Sequence, residues 1–113
     1  MKFITFLENK KTLELIQDTS IREVILEHET LSRMGRLNTE NLLSLTDTAL
    51  ESGFLPILQW DILCTQSNFD KCIKLLNNLP ASKFAAIRVQ DIGAAEWVRQ
   101  KLPEIPIHFI AET

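Results

Sequence analysis

The sequence predicts an α/β fold in which parallel strands are joined by helical crossovers. Three observations carry this. Five short apolar, β-rich runs recur along the 113 residues. Between successive runs lie segments whose apolar residues recur at helical spacing. Those segments are long enough to carry the chain back to the same end of a sheet, which parallel pairing requires and a hairpin turn cannot supply. The predicted order is β-α-β-α-β-α-β-α-β, in a single α/β unit over residues 1–113 with no internal linker or low-complexity stretch.

The first run is Phe3-Ile4-Thr5-Phe6-Leu7. A helix follows, with Leu13 and Ile16 on one side and Asn9 as its N-cap. The second run is Glu23-Val24-Ile25-Leu26, then a connection holding Gly35. The clearest helix comes next: Asn38 caps it, Leu42, Leu45, Ala49 and Leu50 form its apolar stripe, and Gly53 closes it at C′. Pro56-Ile57-Leu58-Gln59-Trp60 is the third run. Ser67 with Asp70 resembles a capping box ahead of Cys72, Ile73, Leu75 and Leu76, with Pro80 beyond the end. The fourth run is Ala85-Ala86-Ile87-Arg88-Val89. Gly93 opens a helix through Leu102 that Pro103 stops, and Pro106-Ile107-His108-Phe109-Ile110 is the fifth run. Two architectures accommodate this order: an open doubly wound sheet, or part of a (β/α)8 barrel.

Composition excludes several function classes. At 45% hydrophobic and 24% charged, the chain is too apolar for intrinsic disorder. No apolar run approaches the roughly 18–20 residues of a membrane-spanning helix. The N-terminus lacks a secretory h-region and cleavage site, so the expected compartment is the cytoplasm. With 12 basic against 15 acidic side chains there is no electrostatic footprint for sequence-independent nucleic-acid binding. The turn after the first run, Leu7-Glu8-Asn9-Lys10-Lys11, has no glycine, which argues against a dinucleotide or phosphate-binding loop. Cys64 and Cys72 lie too far apart for a common zinc pair. They read as ordinary thiols, and no metal site is expected from them.

In either architecture function gathers at the C-terminal ends of the strands. Those ends carry Glu8; Glu27, His28 and Glu29; Asp61 and Cys64; Gln90 and Asp91; and Glu112. Acids converging on one face can bind a metal, hold a cationic or sugar-like substrate, or raise one another's pKa for acid/base work. Acids at strand-to-helix junctions also serve as N-caps. Both readings stay open for each residue. His28 between two glutamates reads as a hydrogen-bonded imidazole, His108 as a packed strand residue, and Trp60 and Trp97 as core. No Ser-His-Asp order, Cys-His pair or HExxH motif is present.

The stretch Phe84-Ala85-Ala86-Ile87-Arg88-Val89-Gln90-Asp91-Ile92-Gly93, with Leu102-Pro103-Glu104-Ile105-Pro106-Ile107-His108 after it, resembles the peptidase U32 family of collagenase-like proteases. In that family a strand ends in Gln/Ala-Asp-Leu/Ile-Gly, and a Pro-hydrophobic-His strand follows. Leu31-Ser32-Arg33 and Asn38-Thr39-Glu40-Asn41-Leu42 look like the family's Phe-Ser-x-Arg loop and second-helix start. There are departures. Leu7-Glu8-Asn9 stands for Ala-Pro-Ala/Gly, Asp61 for an Asn, and Phe109-Ile110-Ala111-Glu112 for small-Ser-Thr-Gln.

The resemblance implies parallel βα units like the N-terminal half of a TIM-type barrel, and a nominal hydrolase or an enzyme of RNA-base or quinone-precursor modification. It implies catalytic roles for Asp91, Glu112 and His108, and substrate contacts from Arg33, Asp61, Gln90 and Gly93. An iron–sulfur cluster is implied only for a longer parent protein, on cysteines beyond this sequence. Because no catalytic set is complete here, the chain alone is expected to be inactive. The alternative is a non-catalytic interaction module or truncated remnant. The substrate is unspecified, and homo-oligomers through open sheet edges are an expected mode of association. Asp91 has two readings, a functional carboxylate or the cap of the helix that follows, with Gly93 freeing the backbone to turn into it.

Overall fold

The computed structural model describes residues 4–62 and 66–110. Five strands, β1 (Ile4–Phe6), β2 (Glu23–Leu26), β3 (Leu55–Trp60), β4 (Ala86–Val89) and β5 (Ile107–Phe109), alternate with helices α1 (Lys10–Ile16), α2 (Thr39–Glu51), α3 (Gln66–Asn77) and α4 (Ile92–Lys101). A single 3-10 turn at Ala81–Lys83 leads into β4, and the sequence pattern gave no sign of it.

All strand pairs are parallel, and the sheet order is β1-β2-β3-β4-β5. This order decides between the two architectures. A doubly wound sheet reverses direction at a switch point and places helices on both faces. A sequential order with same-handed crossovers keeps every helix on one face. Here Leu13 of α1, Leu42, Leu45 and Ala49 of α2, Cys72 and Leu76 of α3, and Ala94, Ala95 and Val98 of α4 share one core. The strand residues Val24, Leu26, Leu58, Trp60, Ile87 and Val89 complete it. The chain is a set of βα units ordered as in the first half of a (β/α)8 barrel.

The helix ends follow local chemistry. Asn9 accepts from the Thr12 N–H at 3.1 Å and Asn38 from the Asn41 N–H at 2.8 Å, each satisfying a donor with no intrahelical partner. At the end of α2, Gly53 has φ 85°, which an L side chain resists. The Phe54 N–H then reaches Ala49 O at 2.9 Å and the Gly53 N–H reaches Leu50 O at 3.1 Å, a Schellman closure with Phe54 buried over Ala49. Ser67, expected as a cap, lies inside α3 instead. No described helix is long and apolar enough to cross a membrane.

The core is organised around Trp60, which is fully buried. It stacks on Phe69 at 6.1 Å between ring centroids and meets Trp97 edge-on at 6.1 Å. Its indole N–H has no oxygen or nitrogen partner among the described residues. It lies against the Cys72 thiol and weakly favours its thiolate, while burial pushes that thiol's pKa up more strongly. The thiol's own contact, to Thr30 O, is 3.7 Å long.

Candidate functional site on the inner face of the sheet

Side chains alternate across a strand, so residues next to the outward core positions point to the other, inner face. Near the strands' N-terminal ends that face is apolar: Ile25, Ile57 and Ala86 form a second, small buried cluster. Two residues further along, at the C-terminal ends, the same face turns polar. Gln59 pairs in register with Arg88, and Arg88 with His108; Glu27 continues the row beyond β2. Asp61 and Gln90 stand two residues beyond Gln59 and Arg88.

Arg88, Gln59, Asp61 and Gln90 form one hydrogen-bonded chain with Arg33. Arg88 Nη1 donates to Gln59 Oε1 at 3.0 Å, and Gln59 Nε2 donates to Asp61 Oδ2 at 3.3 Å. Asp61, only 7% exposed, accepts the Arg33 backbone N–H on Oδ1 at 2.8 Å. The Arg33 side chain lies with Nε 3.8 Å from Asp61 Oδ2 and Nη2 3.4 Å from Gln90 Oε1. Charge-assisted bonds of this kind satisfy a carboxylate that burial would otherwise penalise. Glu27 has no such neutralising set. Burial, then the nearby Asp61 and Glu8 carboxylates, raise its pKa, and Arg88 pulls it back.

The loop from β2 to α2 holds Arg33 in place. His28 is buried, its Nδ1 accepting the Thr30 N–H at 2.9 Å. The proton is therefore on Nε2, which donates to Thr39 Oγ1 at 3.0 Å. Burial lowers the pKa of this imidazole against a smaller opposing effect of Glu29. The His28 carbonyl accepts from Leu31 and Ser32, and Leu31 O accepts from Asp61 and Ile62. Ser32 Oγ donates to Gln59 O at 3.0 Å. Gly35 is required by close approach: a Cβ there would stand 2.2 Å from the His28 carbonyl oxygen.

The structure thus brings Arg33, Asp61 and Gln90 together. Asp91 is beside them in sequence but is turned to α4, where its Oδ2 caps the Ala94 N–H at 2.9 Å. Gly93 does not make the sharp turn expected of it. It sits in the first turn of α4 without a positive φ, and a Cβ there would press to 2.9 Å on the capping oxygen. His108, expected to be packed within its strand, is exposed on the inner face next to Arg88. Cys64 and Glu112 lie outside the described residues. Glu27 was one of the strand-end acids, whereas Gln59 and Arg88 were not among the expected site residues. Their signal was a polar side chain at an alternate position of an otherwise apolar strand, which places it on the inner layer.

Iron–sulfur clusters are held chiefly by cysteine thiolates. Cys72 is a buried thiol with a raised pKa inside the helix-side core, and no group of three or more His, Cys, Asp or Glu is placed to hold a metal among the described residues. The described residues do not fit such a cluster. A hollow of about 520 Å³, lined by Ala81, Phe84, Leu102 and Ile105, opens at the strands' N-terminal ends, away from the polar row.

Comparison with known proteins agrees with the fold. The chain is similar in fold to the solved structure of the U32 peptidase Mk0906, with a TM-score of 0.69 at 11% sequence identity. The match covers 99% of this chain and 49% of that one, so the chain spans about half the length of that structure. No curated protein matches it. The sequence model of Peptidase family U32 matches residues 9–113, and the chain belongs to that family.

Proposed function

We propose that the chain forms the substrate-binding half of a U32-type hydrolase site and does not cleave peptides by itself. The observation that carries this is the continuous chain Arg88–Gln59–Asp61–Arg33–Gln90 at the C-terminal ends of β2–β4. It is where parallel βα folds collect substrate-handling residues. It is also rich in fixed donors and acceptors suited to an extended polar substrate. In this reading Arg33, Asp61 and Gln90 hold the substrate, Gly93 gives Asp91 the room to cap α4, and His108 borders the site. Asp91, His108 and Glu112 belong to the complete site's catalytic set.

The test is an NMR titration of the chain with an amidated, uncharged peptide, beside a gelatin-cleavage assay. The reading expects amide shifts concentrated at residues 31–34, 59–61 and 88–91, with no cleavage. Shifts scattered over the helices would remove the site. Cleavage abolished by Asp91→Ala would show a complete peptidase instead.

A second reading has one observation in its favour. Ile4, Phe6 and Leu55 on the inner face, and Phe109 on β5, are 43–55% exposed. Such a surface suits an interaction module or an oligomer joined through the outer strands. Sedimentation decides it: a monomer across the micromolar range leaves the binding reading alone.

A further inference from the structure

Arg88 stands on β4 with the buried Ala86 two residues before it and Gln90 two residues after, so its stem crosses the apolar inner cluster while its guanidinium reaches the polar row. A guanidinium carries five N–H donors in a planar fork. Among the described residues one is committed: Nη1 to Gln59 Oε1 at 3.0 Å. No described carboxylate lies within ion-pair distance of Arg88, although the other polar-row cation, Arg33, is paired with Asp61. Asp61 is separated from Arg88 by Gln59, which donates to the Asp61 carboxylate and accepts from the Arg88 guanidinium.

Gln59 fixes the arrangement. Its amide is oriented by its two neighbours, since only the oxygen can accept from Arg88 and only the nitrogen can donate to Asp61. It is 6% exposed and cannot swing away. Gln59 is thus a positioning residue for the guanidinium. On the opposite side His108 shares the register of Arg88 and is exposed. A half-buried guanidinium with no described carboxylate in ion-pair contact, oriented from one side and flanked by an imidazole on the other, presents its remaining donors to the space over the sheet. Two parallel N–H groups match a planar carboxylate or a phosphate oxyanion.

We propose that Arg88, positioned by Gln59 and flanked by His108, is an anion-recognition point that takes a carboxylate or phosphate group of the ligand. It rests on the binding site proposed above and names the chemistry that site selects. Glu27 borders the point, and its electrostatic interaction with Arg88 places a carboxyl group beside the bound anion.

The experiment titrates the chain with two probes, inorganic phosphate and N-acetylglycine, while following the Arg side-chain resonances and His108 by NMR. The expected result is saturable shifts at Arg88 and His108 for at least one probe. A preference for phosphate assigns a phosphorylated ligand; a preference for N-acetylglycine assigns a peptide carboxylate. Arg88→Gln should weaken that binding by at least about tenfold, the loss of charge-assisted bonds. Arg88→Lys should fall between, and Arg99→Gln, far from the site on α4, should not change it. Gln59→Glu supplies an internal carboxylate and should abolish binding while the melting curve stays cooperative. Saturation with unchanged affinity in Arg88→Gln, or shifts confined to Arg33 and Arg36, would overturn the inference. If neither anion saturates at Arg88 but the amidated peptide still shifts residues 31–34 and 59–61, this inference fails and the binding site stands. If that peptide also fails, both fall.

Discussion

The two faces of the five-stranded sheet are built from adjacent residues and follow different rules. The outer face meets four helices, and Val24, Leu26, Trp60, Val89 and Val98 are all completely buried there. Among the described residues its inner neighbour has Ile25, Ile57 and Ala86 as a buried apolar floor. Past that floor come Gln59, Asp61 and Arg88, held by hydrogen bonds instead of packing. Burial of apolar area contributes roughly 25 cal/mol per Å² wherever it occurs, so the outer face supplies most of the stability. The inner face can then carry polar groups whose arrangement serves recognition.

The largest expected effect lies on the outer face. Trp60→Ala empties the centre of the helix-side core and removes two aromatic contacts; it should cost about 3–5 kcal/mol in urea denaturation. A smaller loss would mean the helices contribute less than their burial implies. Next comes the loop that serves the inner face. Gly35→Ala drives a Cβ into the His28 carbonyl, so the loop must shift, at a cost of about 1–3 kcal/mol. The amide signals of Arg33 and Asp61 should move with it, which an independent loop would not produce.

Asp91→Ala removes the cap on α4 and should lower stability by roughly 0.5–2 kcal/mol, whereas Asp91→Asn should leave it nearly unchanged. A large loss in the Asn variant, measured by thermal melting, would show that its charge matters to the fold.

Protonation gives the smallest effect. His28 is held neutral with a folded pKa below its ordinary 6.5. Below that value the unfolded chain binds the extra proton first, so the His28 contribution is complete above about pH 6.5 and is lost as pH falls through the folded pKa. His28→Asn keeps an acceptor for the Thr30 N–H and should flatten that loss between pH 7 and 5. Glu27 runs the other way. Its folded pKa is raised above 4.5, so it erodes stability as pH rises from there through the folded pKa, and Glu27→Gln should be slightly more stable at neutral pH. Urea midpoints across pH check both signs.

The elements were legible because their signals are local. Asn9, Asn38 and Gly53 announce helix ends through chemistry that acts within a few residues, and the apolar runs announce strands. The strand order was not local. The runs were compatible with either architecture until sequential pairing put every helix on one face. Asp91 was legible as a residue at a strand end, but its two roles differ only in where its oxygens point, which spacing does not determine. Arg88 was hidden inside the run Ala85–Val89, where its charge interrupts a strand that otherwise looks buried on both sides. Gly93 was misread for a related reason: a glycine near a helix start suggests backbone freedom, yet here the missing Cβ is what matters.

Neighbouring residues of β4 test the two-faced account most directly. Ile87, 1% exposed, points into the helix-side core, and Arg88 points to the inner face. Urea denaturation of Ile87→Ala and Arg88→Gln, run side by side, separates the faces by a single step along the strand. The account predicts a loss of about 2–5 kcal/mol for Ile87→Ala and less than about 1 kcal/mol for Arg88→Gln, whose removed bond is one partly exposed contact. Arg88→Gln costing as much as Ile87→Ala would contradict it, by making the polar row a pillar of the fold and not a surface for recognition.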